Sequence, residues 1–270
     1  MTPRTAGISG AAVALLVATA AYTGSAPPPA ALTADVVFIG EQHDNPAHHA
    51  LQADWAEALD PAAIVFEMLT PEQADRVTPD DRTSQDDLAV ALDWTASGWP
   101  DFAMYYPIFA AAPDAVIYGA GVPRDQVQGA MHEDIVSLFG LDSAARFGLD
   151  QPLPEVEQAE REQMHAEAHC NALPPELLPM MVSIQRLRDA TLARAALTAH
   201  QDTGGPVIVI TGNGHARADW GAPHYLDAAD PKLSVFAFGQ GEGGTTPAGT
   251  FSGVADGPTV DRGNPCDAFN

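Results

Sequence analysis

The chain has 270 residues, 46 % of them hydrophobic, which is enough for one α/β domain, or two small ones, with a large buried core. Twelve Lys and Arg face 36 Asp and Glu, a net charge of −24, and Lys232 is the one lysine. A surface this acidic repels phosphate backbones and anionic headgroups, which excludes nucleic acid as a partner and specifies none in its place.

The N-terminus reads as an export signal. Arg4 precedes an apolar, small-sided run at residues 11–22, shorter than the ~20 residues of a spanning helix. Small residues then offer cleavage after Ala20 or Ala26. No Cys follows the run, so lipid attachment at a new N-terminal Cys is not available. We therefore expect a signal peptide over 1–26, a Pro/Ala-rich spacer over 27–34 and one domain over 35–270. The mature chain would lie in a bacterial periplasm or outside the cell, without stable membrane insertion. Cys170 and Cys266 are the only cysteines, and an oxidising compartment favours their pairing. That bond would tie the tail to a helical hairpin in mid-chain.

Apolar runs of strand length occur at 36–39, 64–66, 115–118, 207–210 and 233–238. Their near-continuous Val and Ile content is what a parallel sheet covered on both faces requires. Helical patterns lie between them at 46–59, 71–76, 86–94, 155–170 and 175–200, the last stopped by Gly204-Gly205-Pro206. The tail, 239–265, is rich in Gly, Thr and Pro and reads as loops around one edge hairpin. The class is α/β: a mostly parallel sheet flanked by helices, with a helical insertion at about 124–200.

Two strands end in the same grammar. Val36-Val37-Phe38-Ile39 runs into Gly40-Glu41-Gln42-His43, and Val207-Ile208-Val209-Ile210-Thr211 runs into Gly212-Asn213-Gly214-His215. A third strand ends in Glu67. Ligands of parallel α/β sheets sit outside the carboxyl ends of strands, so His43, Glu67 and His215 should reach one crevice. One such His is more often a loop residue; two with the same spacing favour a site. Glu41, His43 and His215, with Glu67, could hold one divalent ion with open positions for water. Arg188 could steady an oxyanion or pair with Glu67. Without metal, His43 could act as general base, oriented by Glu67.

Other candidates carry blander readings. Phe102, Met104, Tyr105, Tyr106, Ile108 and Phe109 could pack on a porphyrin but read first as core. His165 and His169 share a helix face, yet surface histidines among acids are the simpler explanation. His48 and His49 read as solvent-exposed by default. Gln185, Arg188 and Asp189 divide evenly between a helix-face salt bridge and a site role.

The motifs Gly40-Glu41-Gln42-His43-Asp44-Asn45, Phe66-Glu67-Met68, His169-Cys170-Asn171-Ala172-Leu173-Pro174, Gln185-Arg186-Leu187-Arg188-Asp189 and Gly212-Asn213-Gly214-His215-Ala216-Arg217 occur in this order. With them the chain resembles the ChaN-like family of haem-binding uptake proteins, in the Tiki/TraB superfamily, from about Asp35 to Leu226. The chain departs from many members in lacking a lipobox Cys. The resemblance implies haem as cofactor and a role in iron uptake, with Glu41, His43, Glu67, Arg188 and His215 around the ligand. It also implies an alternative, because Tiki-like relatives are metal-dependent proteases and an esterase branch hydrolyses a lactone. Haem iron needs an axial His, Tyr, Cys or Met, and Tyr105, Tyr106, Tyr118 and Tyr225 compete with the histidines. Haem or another small-molecule ligand is the expected partner, and a homodimer is left open.

Overall fold

The computed structural model describes residues 26–130, 133–264 and 266–267. The expected signal peptide, apart from Ala26, lies outside the described residues. No helix among the described residues is long and apolar enough to cross a membrane.

The five apolar runs are strands: β1 (Val36–Glu41), β2 (Ala63–Phe66), β3 (Val116–Gly119), β4 (Val207–Gly212) and β5 (Val235–Glu242). With β6 (Gly253–Gly257) they form one sheet in the order β3-β2-β4-β1-β5-β6, and every adjacent pair is parallel. β6 corrects the expected edge hairpin. After a tight turn between Glu242 and Thr245 the chain runs back along the sheet, anchored by buried Phe251, and enters β6 from the same end as β5. A Gly-Val-Ala-Asp-Gly strand has too little apolar alternation to be read from sequence.

The principal helices are α1 (Pro46–Leu59), α2 (Phe102–Ala111), α3 (Glu155–Ala168), α4 (Leu178–Thr203) and α5 (Ala222–Ala229). Asn45 caps α1 by accepting from the Ala47 amide, with Pro46 in the first turn, where its missing N–H costs nothing. α4 ends where expected, Gly204 taking the left-handed conformation (φ 82°) and donating to the His200 carbonyl.

Strand side chains alternate between two cores. Val37, Ile39, Ile64, Phe66, Ile208, Ile210 and Phe238 meet Trp55 of α1 and the aromatic face of α2. Val36, Phe38, Val65, Val207 and Val209 meet α4 and α5 through Leu187, Ala193, Leu197 and Leu226. Burial of each large side chain stabilises by roughly 1.5–3 kcal/mol. The stretch from Phe102 to Phe109 is core, as its simpler reading held: Phe102, Tyr105, Ile108 and Phe109 are all buried, and Phe66 and Phe109 stack 4.2 Å apart.

The two cores fix where a ligand can enter. β1 and β2 lead into helices of the first face, whereas β3 and β4 lead into helices of the second. β4 lies between β1 and β2, so the chain leaves it toward one face while both neighbours leave toward the other. Divergent exits open a crevice at the carboxyl ends of the strands. Its rim carries His43 after β1, Glu67 after β2 and His215 after β4.

Cys170 and Cys266 are bonded, with Cα atoms 5.6 Å apart across 96 residues. Closing a loop of that length stabilises by about 4–5 kcal/mol in the chain-entropy description.

Candidate functional site

Each histidine of the crevice is fixed through Nδ1 by a buried carboxylate. Glu41, the last residue of β1, has no exposed surface and its Oε1 lies 2.7 Å from His43 Nδ1. Tyr105 donates its hydroxyl to the same oxygen at 3.0 Å. Glu41 Oε2 faces His49 Nδ1 at 3.2 Å, and His49 Nε2 donates to the His43 carbonyl at 2.9 Å. His43 is thus gripped at its ring and its backbone. Its side chain remains 33 % exposed, tilted against Trp99 at 4.8 Å, and Nε2 has no hydrogen-bond partner among the described residues.

On the other side of the crevice, Asp189 of α4 accepts from His215 Nδ1 at 2.6 Å, and His215 Nε2 lies 3.5 Å from Glu67 Oε1. The Gln185 amide lies 3.1 Å from the same Nδ1. Glu67 Oε2 accepts from the Thr211 hydroxyl at 2.6 Å and the Gly212 amide at 2.8 Å. A side chain at Gly212 would place its Cβ 3.0 Å from His43 Nε2, so glycine there keeps the ring's outer nitrogen clear.

Charge follows from these contacts. Burial by itself would raise the Glu41 carboxyl, but hydrogen bonds from His43 and His49 and their charges bring it to about 2. Burial would lower His43, and the Glu41 hydrogen bond with the Glu67 charge reverses that and raises it. Burial likewise opposes charge on His215, yet Glu67 and Asp189 lift it to about 9. Asp189 is pushed up by burial; Glu67, despite burial, is held down by His215 and His43.

A cavity of about 520 Å³ opens beside this cluster, within the usual size of small-molecule pockets. Glu67, Met68, Trp99, Gly121, Val122, Val127 and Leu192 are among the residues that line it. Arg124 and Arg188 also line it, two of the twelve basic residues of a very acidic chain.

The structure therefore brings together all five sequence-derived residues but redistributes their parts. Glu41 stands behind His43 as its anchor, not beside it as a metal ligand, because its oxygens are turned to His43, Tyr105 and His49. Glu67 faces His215 and does not orient His43. Arg188 shares the cavity with Glu67, and among the described residues no ion pair joins them. No group of three or more His, Cys, Asp or Glu among the described residues is arranged to hold a metal ion.

Three further expectations change. His48 and His49 are buried, because the Asn45 cap folds the start of α1 under the end of β1. His165 is buried as well, while His169 Nδ1 turns back to the His165 carbonyl, so the pair does not chelate. Asp189 belongs to the site and not to a helix-face salt bridge. Sequence reasoning had no signal for Trp99 or Arg124, left His49 at the surface, and placed Tyr105 in the core without its hydrogen bond to Glu41.

Each of the four candidate tyrosine hydroxyls has a protein hydrogen-bond partner. Tyr105 is bonded to Glu41, Tyr106 to the Arg82 carbonyl, Tyr118 to Asp202, and Tyr225 accepts from Arg186.

A family model described as "Haem-binding uptake, Tiki superfamily, ChaN" matches residues 29–226. Among solved structures the chain is similar to ChaN of Campylobacter jejuni, described as binding haem cofacially. The two share 18 % identity with a TM-score of 0.59, over 79 % of this chain and 84 % of that one. The type III effector HopBA1 shares 13 % identity with a TM-score of 0.47, over 84 % of this chain and 88 % of that one. No curated protein matches the chain.

Proposed function

Because the chain belongs to the ChaN haem-binding uptake family of the Tiki superfamily, we propose that its crevice binds haem through His43, as an extracytoplasmic protein of iron or haem uptake. The observation that carries this reading is the state of His43: partly exposed, anchored at Nδ1 by a buried carboxylate, and open at Nε2. A carboxylate on the far ring nitrogen fixes the tautomer and strengthens the imidazole as a ligand. The other histidines around it are spent. His48 and His49 use both ring nitrogens internally, and His215 lies between two carboxylates.

The remaining donor set fits the group. Met68, Trp99, Val122, Val127 and Leu192 supply apolar walls, and Arg124 and Arg188 supply cations for the two propionates. Bound there, haem would supply iron for storage or transfer. The chain's own residues hold the ring, keep His43 oriented through Glu41 and Tyr105, and neutralise the carboxylates. The disulfide and the leader-like N-terminus support an oxidising, exported location.

Titration of the purified chain with haemin tests the proposal. A saturable, stoichiometric shift of the Soret band is expected; a spectrum that stays that of free haemin would contradict it.

A further inference from the structure

Residues 258–264 line no part of the ligand cavity, yet they are held more firmly than a surface segment requires. Arg262 lies between two carboxylates. Its Nε and Nη2 donate to Asp44 at 2.6 Å each, and its Nη1 and Nη2 donate to Glu242 at 2.7 Å each. A guanidinium forked onto two carboxylates fixes their relative position in a way that a lone surface ion pair does not. Four residues further on, Cys266 is bonded to Cys170, just beyond the end of α3.

Both carboxylates lead back to the ligand loop. Asp44 follows His43 directly. Asn45, fully buried, donates to Glu242 at 2.6 Å and to the Pro258 carbonyl at 2.9 Å while its own oxygen caps α1. One network therefore joins the tail, the end of β5 and the loop that carries His43. Without Arg262, Asp44 and Glu242 would face each other uncompensated. Without the disulfide, the tail carrying Arg262 would lose its far anchor, and ordering it would cost more backbone entropy.

We propose that Arg262, held in place by the Cys170–Cys266 bond, is a positioning residue for the His43 loop, so that a C-terminal strap outside the cavity sets the chain's affinity for haem. The inference rests on His43 as the iron ligand.

The test uses the full chain with Arg262→Gln, the double substitution Cys170→Ser/Cys266→Ser, and all three changes together. Two readouts are taken: haemin affinity from the Soret band, and the imidazole proton resonances of the haem-free protein. Arg262→Gln and the cysteine pair should each weaken haemin binding about tenfold, the size of effect expected for partners behind a metal ligand. The triple variant should lose little more than either, because the two act through one element. In the haem-free protein the His43 resonance should move while that of His200, at the opposite end of the sheet, stays. Arg262→Lys should restore only part of the affinity. Unchanged affinity with an unmoved His43 resonance, or fully additive losses, would overturn the proposal. If the cysteine variant does not fold, Arg262→Gln alone decides. If the unaltered chain binds no haemin but the His43 resonance moves in Arg262→Gln, the haem reading falls and the strap stands.

Discussion

His215 donates from Nδ1 to Asp189 at 2.6 Å while its Nε2 faces Glu67 at 3.5 Å, so one imidazole is held between carboxylates from α4 and from the end of β2. The pair ties the helical insertion to the sheet, and it gives stability a pH dependence. The folded-state value of about 9 lies above the ordinary 6.5, so the proton is held more tightly in the folded chain. The contribution is complete below pH 6.5 and is lost as pH rises through 9. Its size should be on the order of 1–3 kcal/mol. Melting temperatures of the unaltered chain and His215→Asn between pH 6 and 10 check this: the gap between them should narrow as pH rises. A constant gap would count against it.

Removal of the acid is a harsher change. Asp189→Ala leaves a buried imidazolium with one partner fewer, and should cost about 3–5 kcal/mol in denaturant unfolding.

Glycine positions separate stability from binding. A Cβ at Gly40 would lie 2.5 Å from Asn213 Oδ1 and 3.0 Å from the Phe238 carbonyl, so Gly40→Ala should destabilise by about 1–3 kcal/mol. The atoms nearest to a Cβ at Gly212 are side-chain atoms of His43, at 3.0 and 3.3 Å, and of Glu67, at 3.8 Å. Gly212→Ala should therefore unfold almost like the unaltered chain and bind haemin several-fold more weakly. Paired urea melts and Soret titrations would show whether the two effects part in this way.

The cavity arginines should act on the propionates. Arg124→Ala and Arg188→Ala should each weaken haemin binding by up to about tenfold, consistent with partly solvated charge-assisted hydrogen bonds. The dimethyl ester of haemin, which has no propionate charge, should bind both variants and the unaltered chain alike.

Strand order aside, much of this fold was readable from sequence, because five strands are written as near-continuous apolar runs rich in Val, Ile and Phe and α1 starts at Asn45 and Pro46. β6 was not, because a glycine-rich edge strand carries almost no apolar signal. In the site, the Gly-x-x-His repeat identified His43 and His215 because parallel strands end on one side of a sheet. What stayed hidden was which carboxylate serves which imidazole. Glu41 and His43 are two residues apart, and only the turn after β1 brings them face to face. Asp189 and His215 are 26 residues apart in sequence and meet through the packing of α4 on the sheet. His48 and His49 look like surface residues until the cap of α1 turns them inward.

His43 Nε2, anchored from behind by Glu41, is the proposed iron ligand. The most direct measurement is the Soret spectrum of the haemin complex of His43→Ala beside those of Glu41→Gln and the unaltered chain. His43→Ala should lose the shifted band, and Glu41→Gln should keep it with affinity lowered by about 10- to 100-fold. A His43→Ala complex with the band position and affinity of the unaltered chain would contradict the claim.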